Sequence, residues 1–233
     1  MEVNQGMREG SRAGSGPRPG RSLIGRQFGH PQGPLGRVVG HFMARANARF
    51  NLWAVHQLHD AASADVRRVV ELGPGPGIGL AETLRVFPRA HVWGVDLSPE
   101  MLSQARRRNL GAVRAGRLTL VEADAASLSE LAELAPADVV LAVHVLYFWH
   151  RPEAELARIR GVLRPGGLLA LGFQLRQHMP RPAQANFPKE GHLLYDSPDD
   201  VTRLLRHAGF RNVTDQIKGR GDAPEGCLML ATA

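Results

Sequence analysis

Short apolar runs alternate with longer amphipathic stretches from about residue 66 to the end of the chain. The runs are rich in β-branched residues, which favours strands, and the stretches between them have the length of helices. This alternation predicts an α/β fold, with a seven-stranded, mostly parallel sheet and helices on both of its faces. The last two runs predict a C-terminal antiparallel hairpin. The predicted strands lie at 66–71, 91–95, 117–122, 138–143, 168–173, 212–218 and 227–233.

Capping and turn residues predict where two helices begin and end. Residues 153–163 carry apolar side chains three and four positions apart, and the sequence LRPGG at 163–167 predicts a stop followed by a turn. Ser197 and Pro198 predict the start of a later helix, because serine caps a helix N-terminus and proline fits the first turn. That helix is expected to end at residues 208–209.

The residues before the first strand divide into a tail and a helical segment. Residues 1–21 are rich in Gly, Pro and Arg without hydrophobic periodicity, which predicts disorder. Residues 27–36 carry too much Gly and Pro to be helical, and two helices are expected after them, at 37–49 and 51–59. The predicted organisation is a tail (1–21), an N-terminal helical cap (22–60) and one domain (61–233).

Composition narrows the class of protein. At 233 residues with 43% hydrophobic content, one domain with an ordinary core is expected. No apolar run reaches membrane-spanning length and no signal peptide is visible, so a cytoplasmic bacterial protein is expected. The single cysteine, Cys227, excludes an intramolecular disulfide and is expected to be buried.

The net charge of +7 permits contact with nucleic acid or an anionic membrane. The basic run Arg106–Arg108 follows from a solvated helix face equally well, and the chain lacks interleaved aromatic residues. We therefore expect a small molecule rather than nucleic acid as the partner. Peripheral membrane contact and the oligomeric state stay open.

A glycine-rich loop follows the first predicted strand. The strand ends in Glu71, and glycines follow at Gly73, Gly75, Gly77 and Gly79. A dinucleotide-binding loop needs G-x-G-x-x-G, and the third glycine is replaced by Ile or Leu in both frames. A phosphate loop also fails, because no Gly-Lys-Ser/Thr follows. An ordinary turn is the alternative, and the acid at the end of the next strand opposes it.

Acids end two further predicted strands or follow them directly. Asp96 ends the second strand, where a carboxylate suits the two donor hydroxyls of a ribose. Asp124 follows the third strand, and its alternative role is that of a helix cap or turn residue. Glu71 has an alternative as well, which is pairing with Arg67 or Arg68.

The pattern Glu-x-Gly-x-Gly-x-Gly from Glu71, with Asp96, Asp124 and the LRPGG turn, resembles class I S-adenosylmethionine (SAM) methyltransferases. The resemblance covers about residues 66–233, with the motifs in the family's order. It implies a Rossmann-like fold, SAM as the cofactor and methyl transfer as the activity. In that family the glycines let the backbone approach the methionine and ribose parts of SAM.

The resemblance also implies roles for the acids. Asp96 would accept hydrogen bonds from the ribose hydroxyls, and Asp124 would bind the adenine amine while neighbouring backbone meets the ring. Glu71 would lie near the methionine ammonium. No metal is expected. The residues expected to bind the cofactor are Glu71, Gly73, Gly75, Gly77, Asp96, Leu97, Met101, Asp124, Ala125 and Val143.

Side chains after the fourth predicted strand are candidates for the acceptor side. His144 could serve as a general base, or it could be a structural histidine that donates to a backbone carbonyl. Tyr147, Phe148 and Trp149 could wall the pocket or bind a cationic amine through cation–π contact. Their alternative role is core packing.

The loop at 27–36 with the helix after it resembles the N-terminal cap of a subset of bacterial small-molecule and phospholipid methyltransferases. Such caps fold over the methionine end of SAM and exclude water. Gln27 and Phe28 are therefore expected to contact the acceptor, while the helices themselves are expected to pack without such contact.

These features predict a SAM-dependent methyltransferase that transfers a methyl group to an oxygen or nitrogen of a small-molecule acceptor. Alignment and desolvation would carry the reaction, with His144 as the candidate base. Alternatives are a phospholipid N-methyltransferase, an RNA methyltransferase, a non-catalytic SAM-binding protein and an NAD-linked oxidoreductase. Ile78 and Leu80 in the glycine loop oppose the last of these.

Overall fold

In the computed structural model, residues 33–179, 184, 193–220 and 223–233 are described, and their strands form one seven-stranded sheet. The strands are β1 (Arg68–Leu72), β2 (His91–Asp96), β3 (Leu118–Glu122), β4 (Ala137–Val143), β5 (Leu163–Phe173), β6 (Arg211–Arg220) and β7 (Ala223–Thr232). Their spatial order is β3-β2-β1-β4-β5-β7-β6. Strands β1 to β5 pair in parallel, and β7 lies antiparallel between β5 and β6. The predicted fold class is confirmed.

Helices cover both faces of this sheet. Alternation along β1 places Val70 and Leu72 in one apolar cluster and Val69 in the other. The first cluster includes residues of α5 and α6, and the second includes residues of α1, α2 and α3. The helices are α1 (Gly33–Ala61), α2 (Ile78–Val86), α3 (Pro99–Arg108), α4 (Leu110–Arg114), α5 (Pro152–Val162) and α6 (Pro198–His207).

Helix α1 corrects the prediction for the N-terminal segment. It is one continuous helix from Gly33 to Ala61, where a loop up to residue 36 and two separate helices were expected. Pro34 is tolerated because the N–H groups of a first turn have no intrahelical partner. No glycine or proline interrupts residues 41–61, so nothing breaks the helix near residue 50. The predicted tail at 1–21 lies outside the described residues.

The second half of α1 is fixed against the sheet by Phe50 and its neighbour Arg49. A Cβ atom on Gly172 of β5 or on Gly226 of β7 would come within 2.9 Å or 2.4 Å of the Phe50 ring, so both strands need glycine beneath it. Lys218 on β6 donates to the Arg49 carbonyl and pairs with Glu225 at 3.1 Å. The helix is therefore held by the C-terminal hairpin.

The LRPGG segment ends helix α5, as predicted, but it forms an irregular first part of strand β5 where a separate turn and a strand from residue 168 were expected. Helix α5 ends at Val162, and pairing with β4 jumps from Ala137↔Leu163 to Val139↔Leu168. The intervening residues bulge out of the ladder, and Gly166 adopts a φ of +76°, which favours glycine. Further along the chain, α6 has the predicted Ser197 cap, here as a full capping box.

Asp138 joins three segments at the amino-terminal edge of the sheet. Its Oδ2 accepts the backbone N–H groups of Arg67 at 2.7 Å and Arg68 at 2.9 Å, and its Oδ1 accepts Arg164 Nε at 2.7 Å. Burial alone would raise the pKa of Asp138, but these donors outweigh it and hold the pKa below the ordinary 3.8. The ionised carboxylate therefore stabilises the fold.

We expect Asp138→Asn to lower the free energy of unfolding by roughly 1–3 kcal/mol at pH 7. Because the folded-state pKa is depressed, this contribution is complete above the ordinary value of 3.8 and is lost as the pH falls through the folded value. Urea unfolding at pH 7 and at pH 3 measures it. Asp65→Asn is the matched control, since Asp65 is an exposed partner of Arg67. Equal stability of the Asp138 and Asp65 variants at pH 7 would contradict the assignment.

Candidate active site

Three elements meet at the carboxyl-terminal edge of the sheet, where open α/β sheets bind ligands. The glycine loop follows β1, Asp96 ends β2 and His144 follows β4. Strand β1 pairs with both β2 and β4, so the three strand ends lie side by side. The register therefore brings these three positions, each singled out in the sequence, to one edge of the sheet.

The glycine loop has two kinds of glycine. Gly73, Gly75 and Gly77 have φ values of +63°, +53° and +80°. A Cβ on Gly73 would lie 2.2 Å from Val145 Cγ1, and one on Gly77 would lie 2.7 Å from Asn109 Nδ2. A Cβ on Gly75 would meet nothing within 4 Å. Gly73 and Gly77 are therefore needed for packing inside the protein, whereas Gly75 borders open space that a ligand can enter.

Asp96 is connected directly to this loop. Its Oδ2 accepts the Gly75 N–H at 3.1 Å, and its Oδ1 accepts the Ser98 N–H at 2.9 Å. An ionised carboxylate has two oxygens that together accept up to about four hydrogen bonds. The next residue, Leu97, is 50% exposed, while Met101 is buried at the start of α3. The carboxylate thus lies beside the open space at Gly75, and the residue after it presents an exposed apolar side chain.

Glu71 lies beneath the glycine loop rather than beside an arginine. It is buried, its Oε2 accepts the Thr83 hydroxyl at 3.1 Å, and a Cβ on Gly79 would touch its Oε1. Burial raises the pKa of Glu71 to about 8, against the smaller lowering by the Thr83 bond. The alternative of pairing with Arg67 or Arg68 is wrong. The guanidinium of the first bonds Asp65, and that of the second lies over Trp93.

Asp124 forms a turn. Its Oδ1 accepts both the N–H of Ser127 at 2.8 Å and the hydroxyl of Ser127 at 2.7 Å. This bears out the turn role that was considered for it, and adenine binding stays a prediction. Ala125 after it is buried, and Val143 at the end of β4 is half-buried.

His144 has an unusual backbone and a buried ring nitrogen. Its φ is +59°, and its N–H donates to the Gly172 carbonyl at 2.8 Å. Nδ1 lies 3.4 Å from the Tyr147 hydroxyl, and Nε2 is buried without a partner among the described residues. Burial lowers the pKa of His144 to about 4, so the ring is neutral at pH 7.

The aromatic residues after His144 differ in exposure. Tyr147 and Trp149 are buried in the core cluster, and Phe148 is half-buried against it. The Tyr147 hydroxyl accepts the Gln174 N–H, which ties β5 to the turn after β4. Core packing is therefore shown for this group, and contact with an acceptor stays a prediction. Gln27 and Phe28 lie outside the described residues.

Sequence reasoning missed two residues near the site. Phe50, whose ring centroid is 5.2 Å from that of His144, was assigned to a break between helices. Its spacing of four and eight positions from Ala54 and Leu58, both buried, was the signal for one helix. Asn109 bonds the Gly77 carbonyl of the glycine loop through its side chain, and no signal in one sequence marks it.

Comparison with known proteins agrees with the fold and the loop. Residues 70–171 match the model of the methyltransferase-domain family. The trans-aconitate 2-methyltransferase of Azoarcus sp. (strain BH72) is 35% identical over 170 residues, which are 72% of this chain and 57% of that protein. An uncharacterized methyltransferase, YdaC, of Bacillus subtilis (strain 168) is 26% identical over 78% of this chain and 90% of that protein.

Among solved structures, the apo form of the SAM-dependent methyltransferase SibL superposes with a TM-score of 0.65 and 20% identity. The match covers 93% of this chain and 63% of that one. The chain thus spans somewhat over half of the trans-aconitate enzyme and of this structural neighbour. At this identity the superposition shows the fold alone.

The fold is that of a Rossmann-like α/β protein, and its candidate ligand site lies at the carboxyl ends of the strands. The chain is similar to class I SAM-dependent methyltransferases, through the family match over residues 70–171 and through these relatives, and SAM is therefore the cofactor against which the site is compared. The residues present fit that group, because Asp96 offers a carboxylate beside the open space at Gly75. No helix among the described residues is long and apolar enough to cross a membrane.

Proposed function

We propose that the protein transfers the methyl group of SAM to an oxygen or nitrogen of a small-molecule acceptor. The observation that carries this proposal is the left-handed glycine loop, tied through Gly75 to Asp96 beside open space. The relative named for trans-aconitate supports an acceptor of low molecular weight. The sequence around Arg106–Arg108 carries no aromatic side chains on which RNA bases could stack, which also favours a small molecule over RNA as the acceptor.

Three groups would hold the cofactor. The Asp96 carboxylate accepts the ribose hydroxyls, the exposed side chain of Leu97 covers the base, and the Gly75 backbone allows close approach. When bound, SAM supplies an electrophilic methyl group on a positively charged sulfur. The chain's own task is then to align the acceptor with that methyl group and to exclude water.

His144 would orient the acceptor at its buried Nε2. The Tyr147 hydroxyl accepts the Gln174 N–H, and its own proton goes either to His144 Nδ1 or to the Gln174 carbonyl. This choice sets the His144 tautomer and so decides whether Nε2 donates or accepts. An imidazole with a pKa of about 4 is a weak base at pH 7. Orientation of the acceptor is therefore the main role proposed here, ahead of proton removal.

Calorimetry of the purified protein with SAM, demethylated SAM and NAD tests the proposed class. Saturable binding of the first two and none of NAD is expected. Tight binding of NAD with no response to SAM would overturn the proposal. Turnover would then be assayed with carboxylic acids, phenols, amines and phosphatidylethanolamine vesicles. Methylation of the vesicles alone would replace the small-molecule acceptor by a phospholipid.

We expect His144→Asn to lower kcat/KM for the acceptor roughly 10- to 100-fold, since a buried hydrogen-bonding nitrogen is removed from its partner. Asparagine is chosen because it tolerates a positive φ better than other residues, so the backbone is kept. The dissociation constant for SAM should change little.

The pH profile separates the roles of His144. Because the folded pKa is about 4, the neutral ring persists down to that pH, and wild-type turnover should fall only as the pH approaches it. The Asn variant should lack that acidic limb. Wild-type turnover in the variant at every pH would show that Nε2 contacts no acceptor.

A further inference from the structure

Helix α3 spans the distance between the two halves of the cofactor site. At its N-terminus, Ser98 donates its N–H to Asp96 Oδ1 at 2.9 Å and caps the helix through the Met101 N–H. At its C-terminus, Arg108 and Asn109 bond carbonyl groups of the glycine loop. One ten-residue helix therefore contacts both the ribose-side acid and the loop.

Asn109 makes the more buried of the two loop contacts. Its side chain is buried, and Nδ2 donates to the Gly77 carbonyl at 3.1 Å and to the Ala105 carbonyl at 3.0 Å. An amide nitrogen has two protons, so both are used. Arg108 is more exposed, and its Nε donates to the Pro76 carbonyl at 3.0 Å.

The shape of the loop depends on these contacts. Three N–H groups of the loop are also bonded: Gly73 donates to Val95, Gly75 to Asp96 and Gly77 to Pro74. Helix α3 bonds the Pro76 carbonyl through Arg108 and the Gly77 carbonyl through Asn109, and the Gly77 carbonyl also accepts the Ala81 N–H of α2 at 3.3 Å. Gly77 packs directly on the helix, where its missing Cβ would lie 2.9 Å from Ala105 Cα.

We propose that Asn109, assisted by Arg108, is a positioning residue that presets the glycine loop for SAM without touching the cofactor. A loop fixed before binding loses less conformational freedom when the ligand arrives, so the affinity is higher. The inference rests on the proposed function, because it takes this loop as the SAM site.

A purely structural role for Asn109 makes a different prediction. Asn109 also ends α3, and its backbone N–H bonds the Ala105 carbonyl. If it served only as a helix cap, its replacement would lower the melting temperature and leave SAM affinity intact at temperatures where the protein stays folded. Measuring both SAM affinity and melting temperature therefore distinguishes the positioning role from the cap role.

The test uses calorimetry with SAM and demethylated SAM on Asn109→Ala, Asn109→Asp, Arg108→Gln and Arg107→Gln. Loss of one buried bond predicts roughly five- to thirty-fold weaker binding for Asn109→Ala. Asn109→Asp should be weaker still, because a carboxylate would face the carbonyl oxygens of Gly77 and Ala105. Arg107→Gln is the matched control and should leave affinity unchanged, since among the described residues Arg107 bonds only Ser103 on its own helix.

Kinetics provide the second readout. KM for SAM should rise in the Asn109 variants, while kcat at saturating SAM and KM for the acceptor change little. Arg108→Gln, at an exposed position, should weaken SAM binding roughly two- to five-fold, and it keeps the test decisive if both Asn109 variants fail to fold. Lower melting temperatures with wild-type affinity in all variants would overturn the inference. Absence of SAM binding in the wild type would overturn the proposed function instead.

Discussion

Replacing Asp96 by alanine is expected to weaken SAM binding roughly a hundred-fold or more, because two charge-assisted hydrogen bonds to a diol are lost. The same substitution removes the acceptor for the Gly75 N–H at 3.1 Å and for the Ser98 N–H at 2.9 Å. The loop would therefore lose its connection to β2 together with the ligand contact. Both effects act on the same binding equilibrium.

Two further variants show how much of the effect of Asp96→Ala comes from the charge and whether it is specific to this position. Asp96→Asn keeps one acceptor oxygen and removes the charge, so its affinity should fall between wild type and the alanine variant. Asp65→Ala removes an exposed acid at the opposite edge of the sheet and should leave affinity unchanged. Calorimetry with demethylated SAM gives the dissociation constants. Equal affinity in Asp96→Ala and wild type would show that the ligand does not lie at the end of β2.

Gly75→Ala and Gly77→Ala are expected to have different effects, the first on SAM affinity and the second on stability. Both positions have positive φ, so each substitution carries a similar backbone strain of about 1–2 kcal/mol. At Gly75 the new methyl group enters open space, so the fold should persist while SAM affinity falls sharply. At Gly77 the methyl group meets Asn109 Nδ2 at 2.7 Å and Ala105 Cα at 2.9 Å, so the protein itself is destabilised.

Paired measurements of melting temperature and SAM affinity distinguish these outcomes. Gly75→Ala should shift melting only by the shared strain, and added SAM should give little of the stabilisation that it gives wild type. Gly77→Ala should melt lower than Gly75→Ala without ligand. Gly111→Ala is a control, because Gly111 lies in helix α4 with open space at its Cβ position. Full SAM stabilisation of Gly75→Ala would mean that the ligand does not approach this glycine.

The sheet and its strand-end acids could be predicted because they follow from local chemistry. Val69 and Val70 in β1 face opposite apolar clusters, which makes the whole strand apolar and easy to locate. The sequence shows a strand followed by glycines, then a helix and a second strand that ends in Asp96. Few topologies fit this order, since the connection between two parallel strands is right-handed and consecutive strands usually lie side by side.

The rest depends on contacts between residues far apart in the chain. Phe50 looked like part of a connection, because its partners Gly172 and Gly226 lie in β5 and β7. The Glu71 side chain accepts a hydrogen bond from Thr83 because helix α2 packs over strand β1, and a single sequence does not show that packing. Asn109 carries no motif, and its role comes only from the place where α3 ends.

The packing of Phe50 against Gly172 and Gly226 also bears on when helix α1 can dock during folding. Lys218 and Arg49, which join the hairpin to the helix, are 169 positions apart in the chain. The surface beneath Phe50 exists only after β5 and β7 have paired, because Gly172 lies on one strand and Gly226 on the other. Contacts of such long sequence separation form slowly. We therefore expect the Phe50 contacts of helix α1 to form late in folding, although the helix precedes the described strands in the chain.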